Sequence, residues 1–117
     1  MERLTDFFKA CSDETRIRLL MLLSVQDFCV CELVVLLGLP QPKISKHLRR
    51  LKEFGLVKTK REDNYVLYSL VIEDEALKRM LAIVDENLEE YAILKEDRAR
   101  IKDRRLLREE YHKTIRS

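Results

Sequence analysis

Two cysteines, Cys29 and Cys31, stand one residue apart and are the side chains in this sequence best suited to binding chemistry. The chain has three cysteines in all, an odd number that argues against a disulfide framework and favours reactive or metal-binding thiols. Deprotonated thiols prefer soft, thiophilic ions. The alternative interpretation is a pair of buried cysteines that act as small apolar residues in a core strand.

The spacing of the pair limits how it could hold one ion. Residues i and i+2 of an ideal helix point in roughly opposite directions, because successive residues turn by about 100°. In extended chain the same two side chains lie on one side. One ion can therefore join both sulfurs only where the strand-to-helix junction stays extended or unwinds, and binding would act on the start of the following helix.

The segment from Gln41 to Phe54 predicts a helix with two different faces. Ile44, Leu48 and Leu51 recur at i, i+4 and i+7 and predict a buried face, while basic residues line another face. One buried side and one cationic side are what a helix in the DNA major groove requires. The candidate DNA-binding residues in this helix are Gln41, Lys43, Ser45, Lys46, His47, Arg49 and Arg50. A solvated charged face is the alternative.

The elements around this helix predict a helix-turn-helix. Helices are expected from about Glu2 to Cys11 and from an N-cap at Ser12 to about Val25, with one inward face. A short strand at 28–30 precedes a helix over 32–37, which Gly38 ends, and a turn leads into the basic helix. The inward positions expected in the second helix are Ile17, Leu20, Met21 and Ser24.

Two runs of strand-forming residues, 56–60 and 65–70, flank a polar turn at 61–64 and predict a β-hairpin. A hairpin directly after a helix-turn-helix is the wing of a winged helix. Its tip places Lys60, Arg61 and Asn64 where they could touch the DNA backbone or the adjacent minor groove.

The C-terminal part predicts one long helix from about Asp74, with a stripe that runs through Leu77, Leu81, Val84, Leu88 and Tyr91. Such a stripe favours dimerisation. The fold class is therefore mainly α with a small β-hairpin: a winged helix-turn-helix with a C-terminal dimerisation helix over 1–94, and a charged helical extension over 95–117. The extension carries nine basic and five acidic residues. It could lengthen the dimer helix, contact DNA or fray, and we expect a solvated helix.

The chain resembles the ArsR/SmtB family of metal-sensing repressors, and most closely its arsenic-responsive branch. Four strings between about Phe7 and Leu88 carry the resemblance: Phe8 to Arg16, Cys29 to Leu33, Gln41 to Leu48 and Tyr65 to Leu70. The resemblance implies a homodimeric repressor that binds double-stranded operator DNA. Cys29 and Cys31 would match the first two cysteines of a metalloid box that binds an inducer ion, with As(III) or Sb(III) favoured and Cd(II) or Pb(II) as further candidates.

The sequence departs from that family at two places. A third cysteine often follows three residues after the second, and here that position is Val34. A third ligand would then come from Cys11, a solvent thiol or water, although Cys11 also fits an apolar stripe with Leu4 and Phe7. The family's second metal site, on the dimer helix, uses Asp and His residues. The segment 85–87 has no histidine and His112 lies far downstream, so zinc is not expected there.

Three other functions compete with an ion-responsive repressor. The thiol pair could instead sense oxidants or persulfides. The winged helix could be a protein-interaction module, although such a surface should be more apolar than the basic helix. An enzyme is not expected, because no nucleophile–base pair or phosphate loop is found. The lack of a membrane-spanning apolar run and of a signal peptide predicts a soluble, cytoplasmic protein. No organic cofactor is expected, and the net charge of +2 says little about partners.

Overall fold

The computed structural model describes residues 1–116, in which seven α-helices surround a three-stranded antiparallel sheet. The elements are α1 (Glu2–Ala10), α2 (Glu14–Leu23), β1 (Phe28–Cys29), α3 (Val30–Leu37), α4 (Gln41–Glu53), β2 (Val57–Glu62), β3 (Tyr65–Leu70), α5 (Glu75–Glu86), a 3-10 turn (Leu88–Glu90), α6 (Ala92–Ala99) and α7 (Arg104–Arg116). None of the helices in this part of the chain is long and apolar enough to cross a membrane.

The second helix begins one residue later than predicted. Asp13 is its N-cap, because the Asp13 carboxylate accepts a hydrogen bond from the Arg16 backbone N–H at 3.1 Å. The Ser12 hydroxyl instead donates to the carbonyl of Lys9, which belongs to the end of α1. The expected single inward face is also wrong. Residues 19–23 are all buried because α2 packs against α4, α6 and β3, and Ser24 is exposed.

The helix-turn-helix and the wing form as predicted, with small differences in length. Gly38 ends α3 in the left-handed conformation, with φ of 66°, and α4 begins at Gln41 with Pro42 in its first turn. Strands β2 and β3 pair directly across a two-residue turn, Asp63 and Asn64, which is shorter than the predicted turn. The mainly helical fold with a hairpin wing is confirmed.

The sheet contains one strand more than the hairpin. β1 pairs antiparallel with β3, placing Phe28 opposite Tyr68 and Cys29 opposite Leu67, so the strand order is β1-β3-β2. The backbone that carries the first cysteine is therefore hydrogen-bonded to the wing.

The predicted long C-terminal helix is interrupted. α5 ends at Glu86, where the side chain of Asn87 donates to the Ile83 carbonyl at 2.7 Å, and a 3-10 turn separates it from α6. Asn competes with helical hydrogen bonding through its own side chain, which makes it a frequent site of helix termination. The predicted stripe is thus divided between α5 and the following turn.

The charged C-terminal segment folds back onto the domain, and the expected solvated extension is wrong for α6 and α7. Leu94 and Leu107 are buried at 7% and 0% exposure. The guanidinium of Arg18 in α2 pairs with the carboxylate of Asp97, which is 1% exposed. α7 packs along α3, so the segment covers the region of the thiol pair.

Candidate DNA-binding and thiol sites

The core face of α4 fixes which of its side chains point outward. Ile44, Leu48 and Leu51 are all 0% exposed and pack into the main core, as the sequence pattern predicted. The opposite side is solvent-facing and cationic. Exposed there are Gln41, Lys43, Lys46, Arg49 and Arg50, and Ser45 is half-buried.

Two contacts hold polar side chains of this face in place. Gln41 donates from Nε2 to the hydroxyl of Ser45 at 2.6 Å, which fixes the amide at the first turn of α4. Arg50 lies 3.2 Å from Glu53 and stacks its guanidinium 4.4 Å from the centre of the Phe54 ring. Arg50 is therefore a partly neutralised cation at the C-terminal end of the helix.

His47 is buried and does not lie on the exposed face with the other candidate DNA contacts of α4. His47 is 8% exposed, and its Nδ1 atom lies 3.4 Å from Arg16 Nη1 and 3.8 Å from the Asp13 carboxylate. Burial lowers the pKa of His47, although the nearby Asp13 carboxylate raises it. The imidazole therefore lies between α4 and the start of α2.

The wing residues Lys60, Arg61 and Asn64 are all exposed near the hairpin tip. Lys60 approaches Glu62 at 3.9 Å on the same strand, a distance at which an exposed ion pair contributes little. These side chains are accessible at the end of the sheet that projects from the helical core.

The two sulfurs of Cys29 and Cys31 lie 2.9 Å apart, which explains how an i, i+2 pair can converge at a helix start. Cys29 is the N-cap of α3 and has extended backbone, with φ of −90° and ψ of 167°. An N-cap side chain folds back over the first helical turn, and Cys31 lies in that turn. The pair therefore converges without unwinding of the helix, because the junction is extended at Cys29.

Because the two thiols lie close together, their pKa values move in opposite directions. A hydrogen bond from Cys31 lowers the pKa of Cys29 to about 7, against the opposing effect of burial. The same hydrogen bond, together with burial, raises the pKa of Cys31. The pair thus loses one proton near neutral pH and shares the other, which supplies a thiolate for binding a soft ion.

Three charged residues that the sequence analysis missed surround the thiol pair. Glu32 is 0% exposed, and its carboxylate accepts a hydrogen bond from the Cys29 backbone N–H at 2.8 Å. Its other oxygen lies 3.1 Å from Nε of Arg108 and 3.5 Å from Nε of Arg104, both in α7. The three-residue spacing of Glu32 after an N-cap is the signal that could have revealed the cap.

Cys11 is not gathered with the other two cysteines. It is the half-buried C-cap of α1, it packs against the main core, and burial raises its pKa. Among residues 1–116 no three His, Cys, Asp or Glu side chains form a group that could hold a metal ion. The protein donors brought together for a soft ion are therefore the two sulfurs of Cys29 and Cys31.

An exposed basic helix at the second position of a helix-turn-helix, followed by a hairpin wing, defines a winged-helix DNA-binding protein. A family model described as bacterial regulatory protein, arsR family, matches residues 13–59. An HTH-type transcriptional regulator of Methanocaldococcus jannaschii, MJ1325, is 40% identical over 86 residues, 73% of this chain and 94% of that protein. The chain belongs to the ArsR family of DNA-binding transcriptional regulators, which confirms the predicted family and the absence of an enzymatic role.

A second curated relative carries a more specific name. The arsenic resistance transcriptional regulator ArsR2 of Pseudomonas putida is 46% identical over 66 residues, 56% of this chain and 57% of that protein. The chain thus spans little more than half the length of that regulator.

Two solved structures have the same fold. HlyU of Vibrio cholerae superposes with a TM-score of 0.65 at 30% identity, covering 77% of this chain and 92% of HlyU. The fragment 1–100 of Mb0332 from Mycobacterium bovis, described as a homodimeric winged helix-turn-helix DNA-binding domain, gives a TM-score of 0.61 at 26% identity. That comparison covers 76% of this chain and 81% of the fragment.

Proposed function

We propose that this protein is a transcriptional repressor that leaves its operator when a thiophilic metal or metalloid binds Cys29 and Cys31. As(III) and Sb(III) are the favoured inducers, and Cd(II) and Pb(II) are further candidates. The observation that carries the proposal is the 2.9 Å approach of two sulfurs at the N-terminus of α3, the helix that precedes and contacts the recognition helix α4. The arsenic resistance role in the name of the Pseudomonas putida relative supports the choice of inducer.

The proposed binding step is ligand exchange without electron transfer. Arsenous acid, As(OH)3, reacts with the two thiols to form two As–S bonds, and two water molecules leave with the thiol protons. The third valence of arsenic keeps a hydroxyl group, because only two sulfurs converge in the described residues. A divalent soft ion would displace both thiol protons and complete its coordination with solvent.

Ion capture joins the two sulfurs through one atom, and this link is the proposed lever from the ion to the DNA-binding helix. The chelate ties Cys29, whose backbone is extended, to Cys31 in the first turn of α3. Because α3 contacts α4, a restraint on the start of α3 acts on the helix that supports α4.

On the DNA side, the exposed face of α4 would enter the major groove, with Lys43, Lys46 and Arg49 attracting phosphates and Gln41 and Ser45 near base edges. We propose a homodimer, as in the Mycobacterium bovis fragment, with two recognition helices in successive major grooves. Such a dimer requires an inverted-repeat operator with half-sites about 10 base pairs apart or a multiple of that. A footprint with a single half-site would contradict this geometry.

The test is a gel shift of the reduced protein on the DNA upstream of its own gene, titrated with As(III), Cd(II), Zn(II) and an oxidant. Release by As(III) or Cd(II) is expected in the natural protein and in Cys11→Ser, and it should be absent in Cys29→Ser. Serine is itself a favourable N-cap, so Cys29→Ser should keep α3 and the affinity for DNA. Loss of DNA binding by Cys29→Ser without any ligand would contradict the proposed lever.

A thiol redox or persulfide switch is the second candidate, and the short sulfur–sulfur distance and the lowered pKa of Cys29 favour it. Oxidation would join the two sulfurs in a disulfide, with two protons and two electrons passing to an oxidant such as a peroxide. Release by the oxidant alone, with no response to As(III) or Cd(II), would assign the protein to this class.

A further inference from the structure

We propose that Arg108 in α7 is a positioning residue of the thiol site, which anchors Glu32 so that ion capture moves α3 as a unit. This inference rests on the proposed function, because it concerns how binding at Cys29 and Cys31 reaches the recognition helix. It assigns a role in the response to the C-terminal segment, for which the charged sequence favours a solvated helix.

The first part of the argument is the state of Glu32. This carboxylate is 0% exposed and lies at the start of α3, where one oxygen holds the Cys29 backbone N–H at 2.8 Å. A buried carboxylate without a compensating charge is strongly destabilising. The compensation comes from α7 as charge and not as a hydrogen bond: within the described residues the second oxygen accepts none, but Arg108 Nε lies 3.1 Å and Arg104 Nε 3.5 Å from it. The cap on α3 therefore depends on a helix more than seventy residues away in sequence.

The second part is the way in which Arg108 is itself held. Its guanidinium lies 3.6 Å from the centre of the Tyr65 ring, at the start of β3 in the wing. Leu107, the adjacent residue of α7, is 0% exposed, and Arg104 donates from Nη2 to the carbonyl of Asp27 at 2.6 Å. Arg108 thus joins the capped end of α3 to the wing. Its guanidinium is held by the Glu32 carboxylate and by the Tyr65 ring.

The third part is which end of the chelated pair can move. Cys29 is fixed twice, since its backbone pairs with Leu67 of β3 and its N–H is held by Glu32. Any backbone movement that follows ion capture then falls on Cys31 and on α3, as long as the first turn of α3 stays intact. If the Glu32 cap is loosened, the first turn can fray and absorb the movement, because uncapped helix termini are easily opened. The arginine anchor therefore directs the movement into α3 and onward to α4.

The test measures two quantities in the full-length reduced protein: the operator affinity without ligand, and the factor by which saturating As(III) weakens it. Arg108→Met should leave the ligand-free operator affinity within about twofold and still bind one As(III) per chain. We expect the weakening factor to fall at least fivefold. Arg108→Lys, which keeps a cation beside Glu32, should restore most of it. Arg105→Met, an exposed neighbour in α7, is the matched control and should behave as the natural protein.

The outcomes separate this inference from the proposed function. If the natural protein is not released by As(III), the proposed function and this inference both fail. If the natural protein responds and Arg108→Met responds equally, the proposed function stands and the positioning role is overturned. A merely structural role would lower the melting temperature without changing the weakening factor, and that result also overturns the inference. Should Arg108→Met fail to fold, Arg104→Met takes its place, because it removes the longer of the two ion pairs with Glu32. The same quantity is measured, the factor by which saturating As(III) weakens operator binding.

Discussion

The guanidinium of Arg18 and the carboxylate of Asp97 form a two-pronged ion pair, with both N–O distances at 2.8 Å, although the residues are 79 positions apart. Both residues are buried, at 8% and 1% exposure. Arg18 also donates to the carbonyl of Leu37, the last residue of α3. One side chain of α2 thus holds the end of α3 and the C-terminal segment, close to the turn that precedes the recognition helix.

Replacing Asp97 with Asn should lower the free energy of unfolding by about 3–5 kcal/mol, because it leaves Arg18 buried and uncompensated. Urea unfolding of the reduced protein measures the change. Glu89→Gln is the matched control, since Glu89 pairs with Lys95 on the surface and its loss should cost less than about 1 kcal/mol. The double variant Arg18→Met with Asp97→Leu should recover most of the stability. A change below 1 kcal/mol for Asp97→Asn would contradict a structural role for the pair.

The sequence predicted the elements whose signals are local. The apolar spacing of Ile44, Leu48 and Leu51, the glycine at 38 and the hairpin all depend on residues within a few positions of one another. The position of the C-terminal segment depends on contacts such as Arg18 with Asp97, which no periodicity reveals. Dense charge predicts exposure by default, and the partner that makes burial favourable lies far away in the chain.

The same distinction between local signals and distant contacts applies to the candidate site. The thiol pair and the exposed basic side chains of α4 follow from residue type and spacing. The spacing of His47 from Lys43 and Lys46 predicts a place on the basic face, yet the imidazole turns toward Asp13 and Arg16. No local signal marks Arg104 and Arg108, because their contacts depend on a buried carboxylate in another helix.

Lys46→Ala should weaken operator binding and reduce the salt dependence of the affinity. A lysine that neutralises one phosphate contributes roughly 0.9 to the slope of log affinity against log salt, so the slope should fall by about that amount. Fluorescence anisotropy at several salt concentrations measures it. Lys78→Ala, an exposed lysine in α5, should leave the slope unchanged. An unaltered slope for Lys46→Ala would exclude a phosphate contact by this residue.

The stability of the protein should fall as the pH drops through about 6.5, the ordinary pKa of histidine, in part because of His47. Burial lowers the pKa of His47 in the folded state, so the unfolded chain takes up the proton first and is favoured as the pH falls. The loss ends once the folded protein is also protonated. His47→Gln should therefore flatten the dependence of the unfolding free energy on pH between 7 and 5. An unchanged slope in His47→Gln would argue against this origin.

The thiol pair should lose its first proton with a midpoint near pH 7, the lowered pKa of Cys29. The rate of alkylation by iodoacetamide, measured against pH in a Cys11→Ser background, reports this midpoint. In Cys31→Ala the midpoint should move upward, because the hydrogen bond that stabilises the Cys29 thiolate is lost while burial remains.

The same titration determines the pH dependence of ion capture. Below the midpoint, binding of Cd(II) must displace two protons, and above it one proton has already left, so the affinity should rise more steeply with pH below 7 than above it. An identical alkylation midpoint in Cys31→Ala would show that Cys31 does not stabilise the thiolate. A change near pH 7 in the slope of Cd(II) affinity against pH would then come from a group other than this thiol pair.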